Sequence, residues 1–369
     1  MTIDVTQKKY KLCLVNTSLA KGGAERSAAM LSQMLHQEGH EVNLVVLNDE
    51  IDFEYKGELF NLGTFKNKGD NSFNRIMRFI KLRQFFKKKK FDFIIDHRPK
   101  NSILKELFYK NYLYKGNKTI YVYHTSKIEN TVTKFPKLFQ RFCANNFANV
   151  AVSKYIENNI LKKYSLPNTH TIENPFYNNW PGDEMVLPKL FVGKKYILAY
   201  GRLVDEIKDY RFLLNAYKAS ELFLNEIFLV ILGDGPDKEL LESEIKLLQL
   251  EHFVHLLPFV KNPKSIIENA QFVTLTSKYE GFPMVLIESL SLGTPVVSLD
   301  IISGPNEIIQ HEKNGLLVPE RDINLFSRAM QRLIFDKHLQ EKCKLEAENS
   351  VTSFTFKETI KKWQLILLQ

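Results

Sequence analysis

Short apolar runs alternate with helical patterns along almost the whole chain. Residues 12–16, 42–47, 93–96, 119–123 and 149–152 read as buried strands. Between the first two, Gly22-Gly23 marks a loop, and 24–37 has the pattern of a helix that stops at Gly39. A second series follows, with strands predicted over 196–200, 227–232, 255–257, 272–275 and 296–299, each followed by a helix or turn signal. Segment 174–188, with three prolines and one glycine, separates the two series as a linker. Strand–helix alternation of this kind predicts a doubly wound, mostly parallel α/β sheet, here twice over. The expected domains are 1–177 and 178–354. A last helix over 356–368 lies too far along the chain from the second sheet's strands to be one of its crossovers, so 355–369 is expected to fold back on the first domain.

The most informative window is Thr276 to Glu288. Turn residues Glu280, Gly281 and Pro283 follow a buried strand, with Pro283 placed as a first-turn helix residue. Met284 then opens a short helix stopped by Gly293, and Pro295 leads into the next strand. One carboxylate, Glu280, thus lies in the loop at a strand's carboxyl end, and a second, Glu288, lies two turns into the helix. Free N–H groups at a helix N-terminus attract phosphate. A carboxylate on either side suits a ligand with hydroxyls at both ends and phosphates between, as in a nucleotide sugar. The alternative is an N-capping acid followed by a solvated helix glutamate.

Four further motifs each carry two readings. Gly22 and Gly23, in Lys21-Gly22-Gly23-Ala24-Glu25, let backbone approach a ligand at a helix start, or simply make a tight turn. The third glycine of a dinucleotide fingerprint is missing. Arg202 in Gly201-Arg202-Leu203, with Lys208 six residues on, can grip a diphosphate, or the two are ordinary surface cations. Gly233-Asp234-Gly235-Pro236 makes a sharp turn at a strand end, as a structural feature or one that also helps shape the rim of a cleft. His124, and more weakly His97, sit at strand carboxyl ends, as ligand groups or as satisfied structural histidines. Their joint value is positional, because ligands of open α/β sheets bind beyond the strands' carboxyl ends.

Together, Gly-Gly-Ala-Glu, Gly-Arg-Leu plus a lysine, Gly-Asp-Gly-Pro and Glu-x7-Glu resemble, in that order, the retaining glycosyltransferases of family 4. The resemblance covers nearly the whole chain and is strongest over 196–320. It implies a GT-B fold, two facing Rossmann-like domains with parallel sheets and a cleft between them. It also implies roles. Glu280 would hold donor-sugar hydroxyls, and backbone N–H groups around Gly281, Phe282, Pro283, Met284 and Val285 would meet the phosphates. Glu288 would bind ribose, Arg202 and Lys208 would neutralise the leaving diphosphate, and Gly22 and Gly23 would approach the phosphates. His124 would touch the sugar. Phe259 falls where the family's backbone meets the base, although Pro258 stands where glycine is common. Ser303-Gly304-Pro305-Asn306-Glu307 resembles a loop beside the site whose role stays open. The implied reaction is transfer of a hexose or N-acetylhexosamine, expected from UDP, to a lipid-linked or oligosaccharide acceptor in surface glycan synthesis. Attack comes from the front face with retention, and neither a metal nor another cofactor is expected. A non-catalytic sugar-nucleotide-binding subunit and a GT-B epimerase using His97 and His124 are the alternatives.

Charge changes the picture in one respect. Residues 1–177 carry 29 Lys+Arg against 16 Asp+Glu, a net of +13, whereas 178–369 carry 22 against 26, a net of −4. A basic half suggests an anionic partner. Segment 73–90 spaces Phe73, Ile76, Met77, Ile80 and Phe85 helically and ends on Lys87, Lys88, Lys89 and Lys90. It reads as a helix on an anionic membrane, or as a core-facing helix with a lysine-rich end that suits the macrodipole. No nucleic-acid recognition motif is present. Three scattered cysteines, no apolar leader and no apolar run of membrane-spanning length point to a reducing compartment: a cytoplasmic protein, peripheral on the inner membrane face.

Overall fold

A computed structural model describes residues 8–66, 72–176 and 188–369. The expected linker falls largely outside the described residues, as does the side chain of Phe73. The chain divides into two compact units, one running through Glu173 and taking in Ile360–Gln369, the other Asn174–Thr359.

The first unit holds seven strands: β1 (Lys11–Asn16), β2 (Glu41–Val46), β3 (Glu58–Asn61), β4 (Phe93–Asp96), β5 (Lys118–Tyr123), β6 (Ala148–Ala151) and β7 (Thr169–Thr171). They form one sheet in the order β3-β2-β1-β4-β5-β6-β7, and every pairing is parallel. β1 and β4 are wholly or almost wholly buried apolar runs, as expected of strands covered on both faces. The two edge strands, β3 and β7, have no such pattern. Glu-Leu-Phe-Asn and Thr-His-Thr are short and only partly buried, so apolar periodicity does not reveal them. The last helix, Phe356–Leu367, returns its end to this unit, where Gln364 donates to Glu38 (2.6 Å) and Lys362 pairs with Glu173 (2.5 Å).

The second unit holds β8 (Lys195–Tyr200), β9 (Ile227–Leu232), β10 (Val254–Leu257), β11 (Val273–Leu275), β12 (Val296–Leu299) and β13 (Gly315–Val318). Their order is β10-β9-β8-β11-β12-β13, again all parallel. The order reverses beside β8, so the loops after β8 and β11 flank a topological switch point, where such sheets bind ligands. A core of Ile197, Leu229, Ile231, Val297, Leu316, Tyr217, Phe326 and Met330 holds these loops' strand ends still.

Candidate active site

In the second unit, β11 ends at Leu275 and the chain turns through Glu280 into the helix Met284–Ser291. Pro283 is the residue before that helix, one position earlier than its expected first-turn place, and no side chain caps the helix. The side chains of Phe282 and Met284 are buried, Phe282 edge-on against Phe354. What this turn offers a ligand is therefore backbone N–H, at an uncapped helix start with anion affinity.

Glu280 is not a capping acid. Its Oε1 accepts from Lys208 Nζ at 2.6 Å and from Ser277 Oγ at 2.7 Å. The carboxylate and the ammonium are largely shielded, at 15% and 20% side-chain exposure. Lys208 is therefore not an ordinary surface cation. Glu288 is not a solvated helix glutamate either, because it is fully buried. Tyr200, the last residue of β8, donates to Glu288 Oε2 (3.1 Å) and lies 3.0 Å from the Val285 carbonyl. Arg202, two residues after Tyr200, is exposed and makes no side-chain hydrogen bond or ion pair among the described residues.

The glycine motifs shape this rim. A Cβ on Gly233 would lie 1.9 Å from the Gly201 carbonyl oxygen, and one on Gly235 would lie 2.2 Å from that of Leu203. The Gly-Asp-Gly-Pro turn is thus pressed against the Gly-Arg-Leu turn, and no other residue fits either place. Asp234 accepts from Phe259 N–H at 3.0 Å, which ties in the loop after β10 and leaves the Phe259 ring 46% exposed. The 303–307 segment, whose role was open, buttresses the Glu280 turn. Ser303 Oγ donates to the Gly281 carbonyl (2.8 Å), and Gly304, at φ +102°, would set a Cβ 2.3 Å from Pro283 Cδ.

Sequence reasoning missed three groups here. Tyr200 and Ser277 lie on a strand end and in a turn that were both recognised, and each carries a hydroxyl directed at a glutamate. Arg321 lies after β13, a strand that was not predicted, and only the fold brings it to Thr276 and Ser277.

In the first unit, Gly22 precedes the helix Gly23–Gln37. A Cβ on Gly23 would meet nothing within 4 Å, so no neighbour in the fold requires glycine there, and open space faces its backbone. His124, just past β5, and His97, just past β4, come together. Nδ1 of His97 lies 2.9 Å from Nε2 of His124, with the rings stacked 5.1 Å apart. Beneath them is a buried charge network that the sequence reading did not find, although Asp-His-Arg-Pro-Lys at a strand end was its signal. Asp96 takes Arg98 (2.5 Å), Lys100 (3.2 Å) and the Tyr114 hydroxyl (3.0 Å), and Arg98 reaches Glu106 at 3.3 Å. Burial alone would raise the Asp96 pKa, but Arg98 and Lys100 overcome it and hold the carboxyl at about 2. Burial, helped by Lys100, drops His97 to about 3, and burial, His97 and Lys100 depress His124 too. Both rings are therefore neutral at neutral pH and share one N–H···N bond.

That pair predicts an acid weakness. An unfolded histidine titrates near 6.5, so between there and about 3 the unfolded state binds a proton that folded His97 refuses. Stability then falls as pH drops, by up to about 1.4 kcal/mol per pH unit for this group. Urea midpoints measured from pH 7 to pH 5 should fall more steeply for the wild type than for His97→Asn. Equal slopes would mean that His97 is not held neutral.

The helix Ser72–Lys89 shows both faces that the sequence suggested. Leu82 and Phe86 are buried, and Phe79 and Phe85 pack against Phe108 and Phe60. On the opposite face Ile76 and Met77 are exposed, together with Lys87 and Lys88. Lys89 differs from its neighbours, because it pairs with Glu58 and is only 22% exposed. Among the described residues no helix is long and apolar enough to cross a membrane, and no three His, Cys, Asp or Glu cluster as metal ligands.

Comparison with known proteins fits these two units. Residues 21–176 match the family described as Glycosyltransferase Family 4, and residues 187–350 match Glycosyl transferases group 1. A relative 29% identical over 93% of this chain and 95% of its own is the N-acetylgalactosamine-N,N'-diacetylbacillosaminyl-diphospho-undecaprenol 4-alpha-N-acetylgalactosaminyltransferase of Campylobacter jejuni. Another, 27% identical over 97% of this chain and 99% of its own, is the amylovoran biosynthesis glycosyltransferase AmsD of Erwinia amylovora. Among solved structures, TarM of S. aureus, crystallised with UDP, superposes with a TM-score of 0.78 at 16% identity, covering 97% of this chain and all of its own.

Proposed function

We propose that this chain, a glycosyltransferase of the GT-B fold, moves a hexosyl or N-acetylhexosaminyl group from UDP to a lipid-linked or oligosaccharide acceptor with retention of configuration. The observation that carries this reading is the cluster at the switch point of the second sheet. There Lys208, Glu280 and Ser277 converge in front of an uncapped helix start. As the sugar–phosphate bond breaks, negative charge grows on the diphosphate and positive charge on an oxocarbenium-like ring. Lys208, Arg202 and the helix N–H groups stabilise the first. Glu280 orients the sugar through its hydroxyls. Glu288, held by Tyr200, takes the ribose. The leaving phosphate accepts the acceptor's proton, so no glycosidase-like carboxylate pair is needed.

The C. jejuni relative's name, with its diphospho-undecaprenol-linked substrate, supports the lipid-linked acceptor, and the UDP bound in the TarM crystal supports the uridine base. Retained Glu280, Glu288, Arg202 and Lys208 speak against a non-catalytic subunit. The epimerase alternative loses its second acid/base group, because His97 is 2% exposed and held neutral. The direct test is a donor screen with the purified chain, following nucleoside diphosphate release with and without undecaprenyl-diphosphate-linked sugars and a chelator. Release that depends on the acceptor and survives the chelator is expected. Epimer formation, or loss of activity that magnesium or manganese restores, would overturn the reading.

The acceptor side of the proposal includes docking on an anionic membrane inner face through the outward side of Ser72–Lys89. Lys87 and Lys88 are exposed there, Lys90 is exposed just past the helix's end, and Ile76 and Met77 are exposed about three turns earlier on the helix. Each basic residue near such a surface contributes about 1 kcal/mol before salt screening. Changing these three lysines to glutamine should abolish most co-sedimentation with anionic vesicles while leaving UDP affinity intact. Lys89 is left alone, since its partner is Glu58. Equal binding to neutral vesicles, or an unaffected variant, would return these lysines to a solvated helix end.

A further inference from the structure

The short helix Asp205–Lys208 ends on Asp209, whose backbone is left-handed (φ +52°, ψ +49°). This residue and the strand-end turn opposite it are laced together. Thr276 Oγ1 donates toward the carbonyls of Lys208 (3.0 Å) and Asp209 (3.2 Å), and Lys278 N–H donates to the Ile207 carbonyl (2.8 Å). Across the back of this lacing lies Arg321. Its Nη1 meets Asp209 Oδ2 at 2.5 Å and the Thr276 carbonyl at 3.0 Å, and its Nη2 donates to the Ser277 carbonyl at 2.6 Å. Phe212 lies beneath the guanidinium, 5.4 Å from ring centre to Cζ.

We propose that Arg321 is a positioning residue for the donor diphosphate site, fixing Lys208 and Glu280 relative to each other by clamping Asp209 to the carbonyls of Thr276 and Ser277. The inference rests on the reading that Lys208 meets the donor phosphates. An exposed ion pair contributes little by itself, but this one is a fork. One planar guanidinium bonds a carboxylate adjacent to Lys208 and two carbonyls leading into the Ser277–Glu280 contact. Asp209 is only 13% exposed and Arg321 34%. Without the fork, the Lys208 loop and the Glu280 turn keep their threonine and backbone ties, a long Lys278–Asp209 ion pair (3.8 Å) and the Lys208–Glu280 contact itself. None of these fixes the loop's carboxylate to the turn's carbonyls as the fork does, so the ammonium is less firmly held in the place where phosphate should meet it. A lysine at 321 retains the charge toward Asp209 but cannot span both carbonyls.

The test uses calorimetric affinities of the full chain for UDP and for uridine, since their ratio reads the grip on the diphosphate alone. Loss of a charge-assisted contact corresponds to about tenfold or more. Arg321→Ala should lower the UDP-over-uridine preference by about that factor while uridine affinity stays within about twofold, and Arg321→Lys should fall between it and the wild type. Because Arg321 acts through Lys208, the double variant Lys208→Ala/Arg321→Ala should be no worse than Lys208→Ala alone. An unchanged preference in Arg321→Ala beside a lowered one in Lys208→Ala overturns the proposal and leaves the site reading standing. Additive losses overturn it too, since Arg321 would then touch the ligand directly. A parallel fall in uridine affinity likewise overturns it, as the signature of general loosening. If Lys208→Ala keeps the wild-type preference, or the wild type does not bind UDP, the site reading fails and the proposal with it. Asp209→Asn, which keeps the side-chain shape, repeats the test should Arg321→Ala not fold.

Discussion

Lys208→Ala should lower turnover by about 100-fold or more, the scale expected when one preorganised group facing developing charge is removed. Arg202→Ala should do the same by a different route. Lys208 is already held at 2.6 Å from Glu280 and 20% exposed, so it waits in place and reorganises little when charge appears on the leaving diphosphate. Arg202 is exposed and without a side-chain partner among the described residues, so it must be recruited by the ligand. The two variants should therefore differ in ground-state behaviour. Arg202→Ala should raise KM as well as lower kcat, whereas Lys208→Ala should act mainly on kcat. Loss of Lys208 also removes one of the contacts of Glu280, and the destabilisation should be small for a partly exposed pair, about 1 kcal/mol or less. Thermal unfolding measured beside the kinetics separates the effects. A variant that keeps wild-type kcat with a confirmed donor would remove Lys208 from the chemistry.

Glu288→Ala is expected to weaken UDP binding by about 10- to 100-fold, the range for losing a hydrogen bond to a charged group. The carboxylate is fully buried with Tyr200 at 3.1 Å, so its orientation is set before ligand arrives. Tyr200→Phe should reproduce part of that loss, because the tyrosine also reaches the Val285 carbonyl at the helix start. Glu280→Gln should behave oppositely. It keeps the shape of the turn, so UDP affinity should stay near wild type, while kcat falls because the sugar loses a charged partner in the transition state. Calorimetry with UDP and steady-state kinetics read the two axes independently. If Glu288→Ala lowered kcat without touching UDP affinity, ribose would not be its ligand.

Much of this was legible in the amino-acid order, because its physics is local. Buried parallel strands need continuous apolar runs, and β1, β2, β4, β5, β8, β9 and β12 all show them. Turns that must bring backbone close need glycine, so Gly233 and Gly235 stood out before their neighbours were known. The Glu280–Glu288 spacing likewise follows from one loop and two helical turns. The edges of the sheets were not legible. β3 and β7 are short and half-covered, so no alternation marks them, and β7 reads as polar loop.

What only tertiary structure decided is how each charged group is satisfied. Whether Lys208 is a surface cation or a held ammonium depends on a carboxylate 72 residues away, and whether Glu288 is solvated depends on a hydroxyl 88 residues before it. Asp209 meets Arg321 across 112 positions, on a strand end that no local pattern announced. His97 and His124 are neutral chiefly because the fold buries them, and that burial is not written in their own neighbourhoods, although Lys100, which adds to it, lies close to His97 in the chain. Apolar burial is set by each residue's own side chain and period. The state of a charge is set by which partner the fold delivers within about 4 Å, since Coulomb attraction and desolvation depend on distance in space and not along the chain.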